Sequence, residues 1–209
     1  MDGLSTDRMI RVATCLVIGF ACIQGCKWIM LSGGAEVTSS MLYLSRFSGV
    51  AAMGLLAILF SNHLPDTKRL FLVAVTLVVG YGVALGVVSL LSGEVARGIV
   101  LHIAVALYGV ADGIFILLFL WLIALFEPRK SAVILVAVEL LTNILMIFLG
   151  MVSGSVLVLL RFLMLGVGIL LFALARREVA AAAPVSPAAT TSLPSFPRSL
   201  ADWALPPLK

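Results

Sequence analysis

The chain has 209 residues, of which 62% are hydrophobic and 11% are charged, and its formal net charge is +4. Its mean hydropathy is +1.21. Soluble domains carry about a quarter charged residues, so a soluble fold of this length could not hide so much apolar surface. The basic residues flank apolar runs and do not form one patch, which argues against a nucleic-acid partner. The lipid bilayer is therefore the expected surrounding.

Long apolar runs predict an all-α membrane protein with six transmembrane helices. A helix needs about 20 apolar residues, at about 1.5 Å per residue, to cross a hydrocarbon core of about 30 Å. Short turns rich in Ser, Gly, Asn and Pro separate the runs. The predicted spans are residues 12–31, 41–60, 70–91, 98–126, 131–150 and 155–175.

The first span carries all three cysteines, Cys15, Cys22 and Cys26. Their spacing places them on one helical face, where no unstrained disulfide can close, and no nearby histidine completes a metal site with them. Packing is the favoured interpretation, and no metal or cofactor is expected. The span could instead be a cleaved export signal, but its length and the Lys27-Trp28 pair near its end favour a retained anchor.

Small residues recur at close spacing in three of the spans. In a bilayer, such residues allow two helix backbones to approach closely. We therefore expect helix contacts at Ser45, Gly49 and Ala52 in the second span, Gly82 and Gly86 in the third, and Gly109 and Gly113 in the fourth.

Ionisable residues inside the spans are the main functional signal. Asp112 and Glu139 fall near mid-depth, where an ionised carboxylate costs roughly 2.5–3.5 kcal/mol on insertion scales. Asn143 lies one turn after Glu139, and Arg46 and Arg161 fall nearer the outer face. One interpretation is a polar cleft in which an acid titrates as a solute or proton passes and an arginine attracts an anionic group.

The alternative is that the two arginines, with Lys27, extend to the headgroups while the acids stay protonated or structurally paired. The candidate residues for solute binding or proton coupling are Asp112, Glu139, Asn143, Arg46 and Arg161.

No catalytic motif supports an enzyme. The sequence has no Ser-His-Asp set, no HExxH, no paired CxxC and no phosphate-binding Gly-Lys-Ser/Thr loop. The two histidines, His63 and His102, fall on opposite sides of the membrane in the predicted topology.

The distribution of Lys and Arg predicts the orientation. If the spans alternate, most basic residues lie on one side, which should be cytoplasmic, and both termini lie there as well. These basic pairs are Arg8 and Arg11, Lys68 and Arg69, Arg129 and Lys130, and Arg176 and Arg177.

The composition changes after the last span. Residues 178–209 hold most of the eight prolines of the chain, an alanine run and Ser/Thr clusters. Such a segment buries too little apolar surface to offset its ordering entropy. We expect a bundle over residues 1–177 and a flexible cytoplasmic tail over residues 178–209.

The central stretch resembles the N-terminal six-helix half of a major facilitator superfamily transporter. The resemblance lies in Arg97 before a Gly-rich fourth span, in Gly109 with Asp112-Gly113, and in the run from Leu125 to Ala132 (LFEPRKSA). It covers residues 9–177 in architecture and about 97–135 in sequence. The glycine-flanked Asp-Arg run of that family is absent, since residues 62–69 hold no glycine.

The resemblance implies a transport-type module in the cytoplasmic (inner) membrane of a bacterium. Alternating access in such carriers rocks one half against another. A second copy of the chain or a separate six-helix half would therefore be needed to move a small solute.

The same region is similar to the membrane domain of actinobacterial LuxR-type regulators, through Leu120-Trp121 and residues 129–132. No helix-turn-helix follows here. This second resemblance implies a membrane sensor or interaction module without flux or catalysis.

Overall fold

A computed structural model describes residues 6–29, 44, 47–55, 66–152 and 154–182. The fold is all-α, as predicted. Residues 47–55 form a helical segment, α2, and the remaining helices are α1 (Thr6–Ile29), α3 (Thr67–Leu90), α4 (Glu94–Ile123), α5 (Pro128–Gly150) and α6 (Gly154–Ala182).

Five helices, α1 and α3 to α6, are long and apolar enough to cross a bilayer. The chain is thus a multi-pass membrane protein. The second predicted span, residues 41–60, lies partly outside the described residues. The helices generally begin several residues before the predicted apolar runs, since polar first turns also adopt helical structure.

The turn between α4 and α5 shows how local chemistry sets the helix ends. Pro128 occupies the first turn of α5, where its missing N–H leaves no bond unmade. The hydroxyl of Ser131 donates to the carbonyl oxygen of Ile123 at 2.8 Å, which satisfies a backbone acceptor at the end of α4. These contacts hold α4 and α5 as consecutive antiparallel helices.

Helices α1 and α4 are the most buried of the five. α1 packs against α5 and α6, and α3 packs against α4. Aromatic rings fill the space between α3, α4 and α6: Phe71 stacks on Phe172, and Phe115 meets both rings edge-on. The core therefore lies around α1 and α4, with the other helices outside it.

Glycines mark two close helix crossings. A Cβ on Gly168 of α6 would lie 2.8 Å from the carbonyl oxygen of Gly19 in α1. A Cβ on Gly49 of α2 would lie 2.6 Å from the carbonyl oxygen of Ala106 in α4, and one on Gly113 would lie 2.8 Å from Met53 Cβ. The predicted contacts at Gly49 and Gly113 are therefore present, whereas the α1–α6 crossing was not predicted.

Among the described residues, the predicted backbone contacts of α3 at Gly82 and Gly86 are not seen. A Cβ on Gly82 would meet only the ring of Phe162, at 3.8 Å, and one on Gly86 would meet no described atom within 4 Å. The outer face of α3 instead carries exposed Leu72, Val79 and Val83. Spacing by four residues predicts a narrow stripe but does not determine whether it faces another helix or lipid.

The start of α1 and the end of α6 lie side by side. Arg8 Nε is 2.7 Å from Glu178 Oε2, so both ends belong to one face of the bundle. α6 continues to Ala182, past the predicted bundle boundary at residue 177. The rest of the predicted tail, residues 183–209, lies outside the described residues.

We expect Gly168→Ala to destabilise the bundle. The added methyl group would press on the Gly19 carbonyl, and overpacking of this kind costs about 1–3 kcal/mol. Gly166→Ala, on the same helix with open space around it, should be neutral or stabilising by about 0.5–1 kcal/mol. Thermal unfolding of the detergent-solubilised variants measures both. Equal melting temperatures for the two variants would contradict the crossing.

Candidate functional site

A hydrogen bond between a half-buried amide and a buried carboxylate joins α1 to α4. The carboxylate of Asp112 is almost completely buried, with 1% of the residue exposed. Gln24 Nε2 donates to Asp112 Oδ1 at 3.1 Å. Because a buried carboxylate needs polar partners, this bond fixes the rotation of α1 relative to α4.

Two aromatic rings stack near this bond, about one helical turn from Gln24 on α1 and about two from Asp112 on α4. Phe20 of α1 and Phe119 of α4 lie parallel, with ring centroids 4.0 Å apart. Both residues are buried, with 6% and 2% exposed. The stack closes the space between α1 and α4 on one side of the polar pair.

A pocket of about 500 Å³ opens beside the stack, within the range of about 300–1,000 Å³ of small-molecule sites. Residues of α1, α2, α4 and α5 line it. Its wall is apolar and includes Phe20, Phe47 and Phe119. Its polar lining consists of Gln24, Glu139, Thr142 and Asn143.

Gln24 belongs both to the pocket and to the Asp112 contact. One N–H of its amide is used on the buried carboxylate, so its carbonyl oxygen and its second N–H are left for other partners. A molecule in the pocket would therefore contact a side chain that directly stabilises Asp112.

The α5 side of the pocket has three polar side chains. Glu139 is exposed, and no cationic side chain among the described residues lies within 4 Å of its carboxylate. The amide nitrogen of Asn143 donates to the backbone oxygen of Glu139 at 2.9 Å, not to its carboxylate. Thr142 Oγ1 is buried without a hydrogen-bond partner in the described part of the chain. An unsatisfied buried hydroxyl is costly, and ligand sites often retain one.

Arg161 lies elsewhere in the bundle. It is 8% exposed, its backbone oxygen accepts from Cys26 Sγ at 3.4 Å, and Tyr81 lies within electrostatic range of its guanidinium. It forms no ion pair within 4 Å with Asp112 or Glu139 and does not line the pocket. The predicted network of acids and arginines therefore does not include Arg161. Arg46 lies outside the described residues.

Four of the five predicted site residues can be placed. Glu139 and Asn143 line the pocket, Asp112 lies behind it through Gln24, and Arg161 is separate. The sequence analysis missed Gln24 and the Phe20–Phe119 wall. Gln24 had a usable signal, because it is an uncharged polar residue within an apolar span, whereas the phenylalanines are indistinguishable from ordinary lipid-facing residues.

The cysteines are packing residues in this arrangement. Cys22 and Cys26 are buried, and Cys22 lies against Gly168 at the α1–α6 crossing. Within the described residues, no group of three or more His, Cys, Asp or Glu side chains could hold a metal ion.

No family model, curated protein or solved structure matches this chain.

We expect Gln24→Leu to lower the stability of the bundle by about 1–3 kcal/mol, since it removes a donor from a buried carboxylate and leaves the pocket wall in place. Gln24→Glu should be at least as harmful, because it places a second acid beside Asp112. Chemical unfolding in detergent measures both effects. A Gln24→Leu variant as stable as the parent chain would show that the hydrogen bond does not hold α1 against α4.

Proposed function

We propose that this protein is an integral membrane transport-type module that binds a small solute in the pocket between α1, α2, α4 and α5 and moves it across the bilayer. The observation that carries the proposal is Glu139, a carboxylate exposed to a pocket at mid-depth of its helix without an ionic partner among the described residues. A charged group is costly at this depth, so its retention favours a role in binding.

Gln24 connects solute binding in the pocket to the buried carboxylate of Asp112. Its side chain reaches the pocket on one side and Asp112 on the other. A solute that contacts the Gln24 carbonyl changes the hydrogen bond that this side chain donates to the buried carboxylate. Solute occupancy and the environment of Asp112 are therefore linked through one amide.

The geometry of the pocket supports a proposed assembly. Exposed Phe47, Leu120 and Leu135 form its apolar rim, beside exposed Glu139. An exposed carboxylate among apolar residues needs a polar or wet cover at this depth. We propose that a second copy of the chain or a separate six-helix half provides this cover, which agrees with the resemblance to a facilitator half.

The experiment is solute uptake into proteoliposomes that contain the full chain. A mixed panel of amines, amino acids and sugars is offered under an imposed proton gradient, and accumulated solutes are measured by mass spectrometry. We expect uptake of at least one solute class to fall at least about tenfold, equivalent to about 1.4 kcal/mol, in Glu139→Gln and in Asp112→Asn.

Glu94→Gln is the matched control, since Glu94 is an exposed acid in the first turn of α4 and far along the chain from the pocket. Uptake should be unchanged in that variant. Absence of uptake for every panel member, together with binding of one of them at the pocket, would instead support a sensor module without flux.

We further propose that the chain lies in the bacterial cytoplasmic membrane with both termini inside, because the Arg8–Glu178 ion pair joins the two helix ends that carry basic residues. A green fluorescent protein fused after residue 209 should fluoresce in cells, and alkaline phosphatase at the same point should be inactive. Active phosphatase would show that the C-terminus lies on the outer side of the membrane, contrary to the proposed orientation.

A further inference from the structure

The charged lining of the pocket, within the described part of the chain, is acidic. Glu139 is its single ionisable lining residue within the described part of the chain, and no Lys, Arg or His contributes to the described lining. Arg161, the buried cation of the bundle, is not part of it. The electrostatics of this pocket therefore favour a cationic guest and disfavour an anionic one.

The neutral polar groups of the pocket also favour a guest that donates hydrogen bonds. Gln24 uses its amide nitrogen on Asp112, and Asn143 uses its amide nitrogen on the backbone oxygen of Glu139. Both amides are thereby oriented, with their carbonyl oxygens left for other partners. Thr142 Oγ1, buried and unpartnered among the described residues, can accept as well. The groups that converge on the pocket are thus mainly hydrogen-bond acceptors.

The apolar wall of the pocket favours a guest whose remaining part is apolar. A small hard cation such as Ca²⁺ takes about 6–8 oxygen ligands, whereas the described lining offers one carboxylate and three neutral oxygen-bearing side chains beside three phenylalanines. The wall fits an apolar body, because rings and aliphatic chains gain by leaving water there.

We propose that the pocket takes a small organic cation with N–H donors, a primary ammonium or guanidinium group attached to an apolar body. The cationic head lies against the Glu139 carboxylate, with Thr142 Oγ1 and the Gln24 carbonyl as further acceptors. The body packs on the wall that Phe20 and Phe119 form. This assignment deepens the proposed transport function and rests on the same pocket.

Calorimetry on the purified full-length protein in lipid nanodiscs tests the charge and the donor separately. The probes are 2-phenylethylammonium, its neutral analogue 2-phenylethanol, and phenylacetate as the anion. We expect the ammonium ion to bind at least about tenfold tighter than the alcohol, the difference that one charge-assisted contact supplies, and phenylacetate to bind more weakly than either.

Glu139→Gln should reduce the preference for the ammonium ion over the alcohol to about threefold or less, because the remaining described acceptors are neutral. Thr142→Val should weaken the binding of the ammonium ion, because it removes an acceptor. It should leave the melting temperature of the protein unchanged or raised, since the hydroxyl that it removes is buried and unsatisfied among the described residues. Glu94→Gln should leave all three affinities unchanged.

Each outcome decides the assignment. Equal binding of the ammonium ion and the alcohol, or a preference that persists in Glu139→Gln, overturns the cation assignment. If proteoliposomes still accumulate a sugar or an anion in a Glu139-dependent manner, the transport proposal stands and the solute class is wrong. If the ammonium ion binds as expected and no solute is accumulated, the cation site stands and the transport proposal fails.

Discussion

The bond between Gln24 and Asp112 is the constraint on which the rest of the arrangement depends. It joins the two most buried helices at a point where the Asp112 carboxylate is almost completely buried. Apolar packing alone leaves the rotation of a membrane helix poorly fixed, because lipid tails are as apolar as the neighbouring helix. A directional bond to a buried carboxylate removes that freedom. The parallel stack of Phe20 on Phe119 is then the packing that this rotation permits.

The same bond also separates the two acids of the bundle into different roles. Asp112 is held inside the protein by a donor from α1, whereas Glu139 faces the pocket with its carboxylate unpaired among the described residues. Arg161 lies beside Cys26 and Tyr81 and neutralises neither acid by direct contact. Gln24 thus connects one buried acid with the pocket that the accessible acid lines, and in the proposed function an event at the pocket changes the environment of Asp112.

Much of the architecture could be predicted because it depends on local composition. Apolar length gave the helices, Pro128 and the Ser/Gly turns gave their ends, and small residues at Gly49 and Gly113 gave the α2–α4 contact. The partner of Asp112 could not be predicted in the same way. Gln24 is 88 positions away, and helices that are apolar on every side give no periodic signal for which face turns inward. The separate position of Arg161 has the same cause, since the depth of a residue along its span does not determine which helices are neighbours.

The proposed assembly and the proposed guest depend on the same carboxylate. The rim around Glu139 is apolar, so an uncovered pocket would present a single acid to lipid chains. A covering copy would exclude lipid and strengthen every electrostatic contact within, because the local dielectric falls. In that closed space an organic cation would neutralise Glu139 and its apolar body would replace water at the phenylalanine wall. The empty and the occupied pocket then differ in net charge, and a difference of this kind allows a bound solute to bias which side of the membrane the pocket faces.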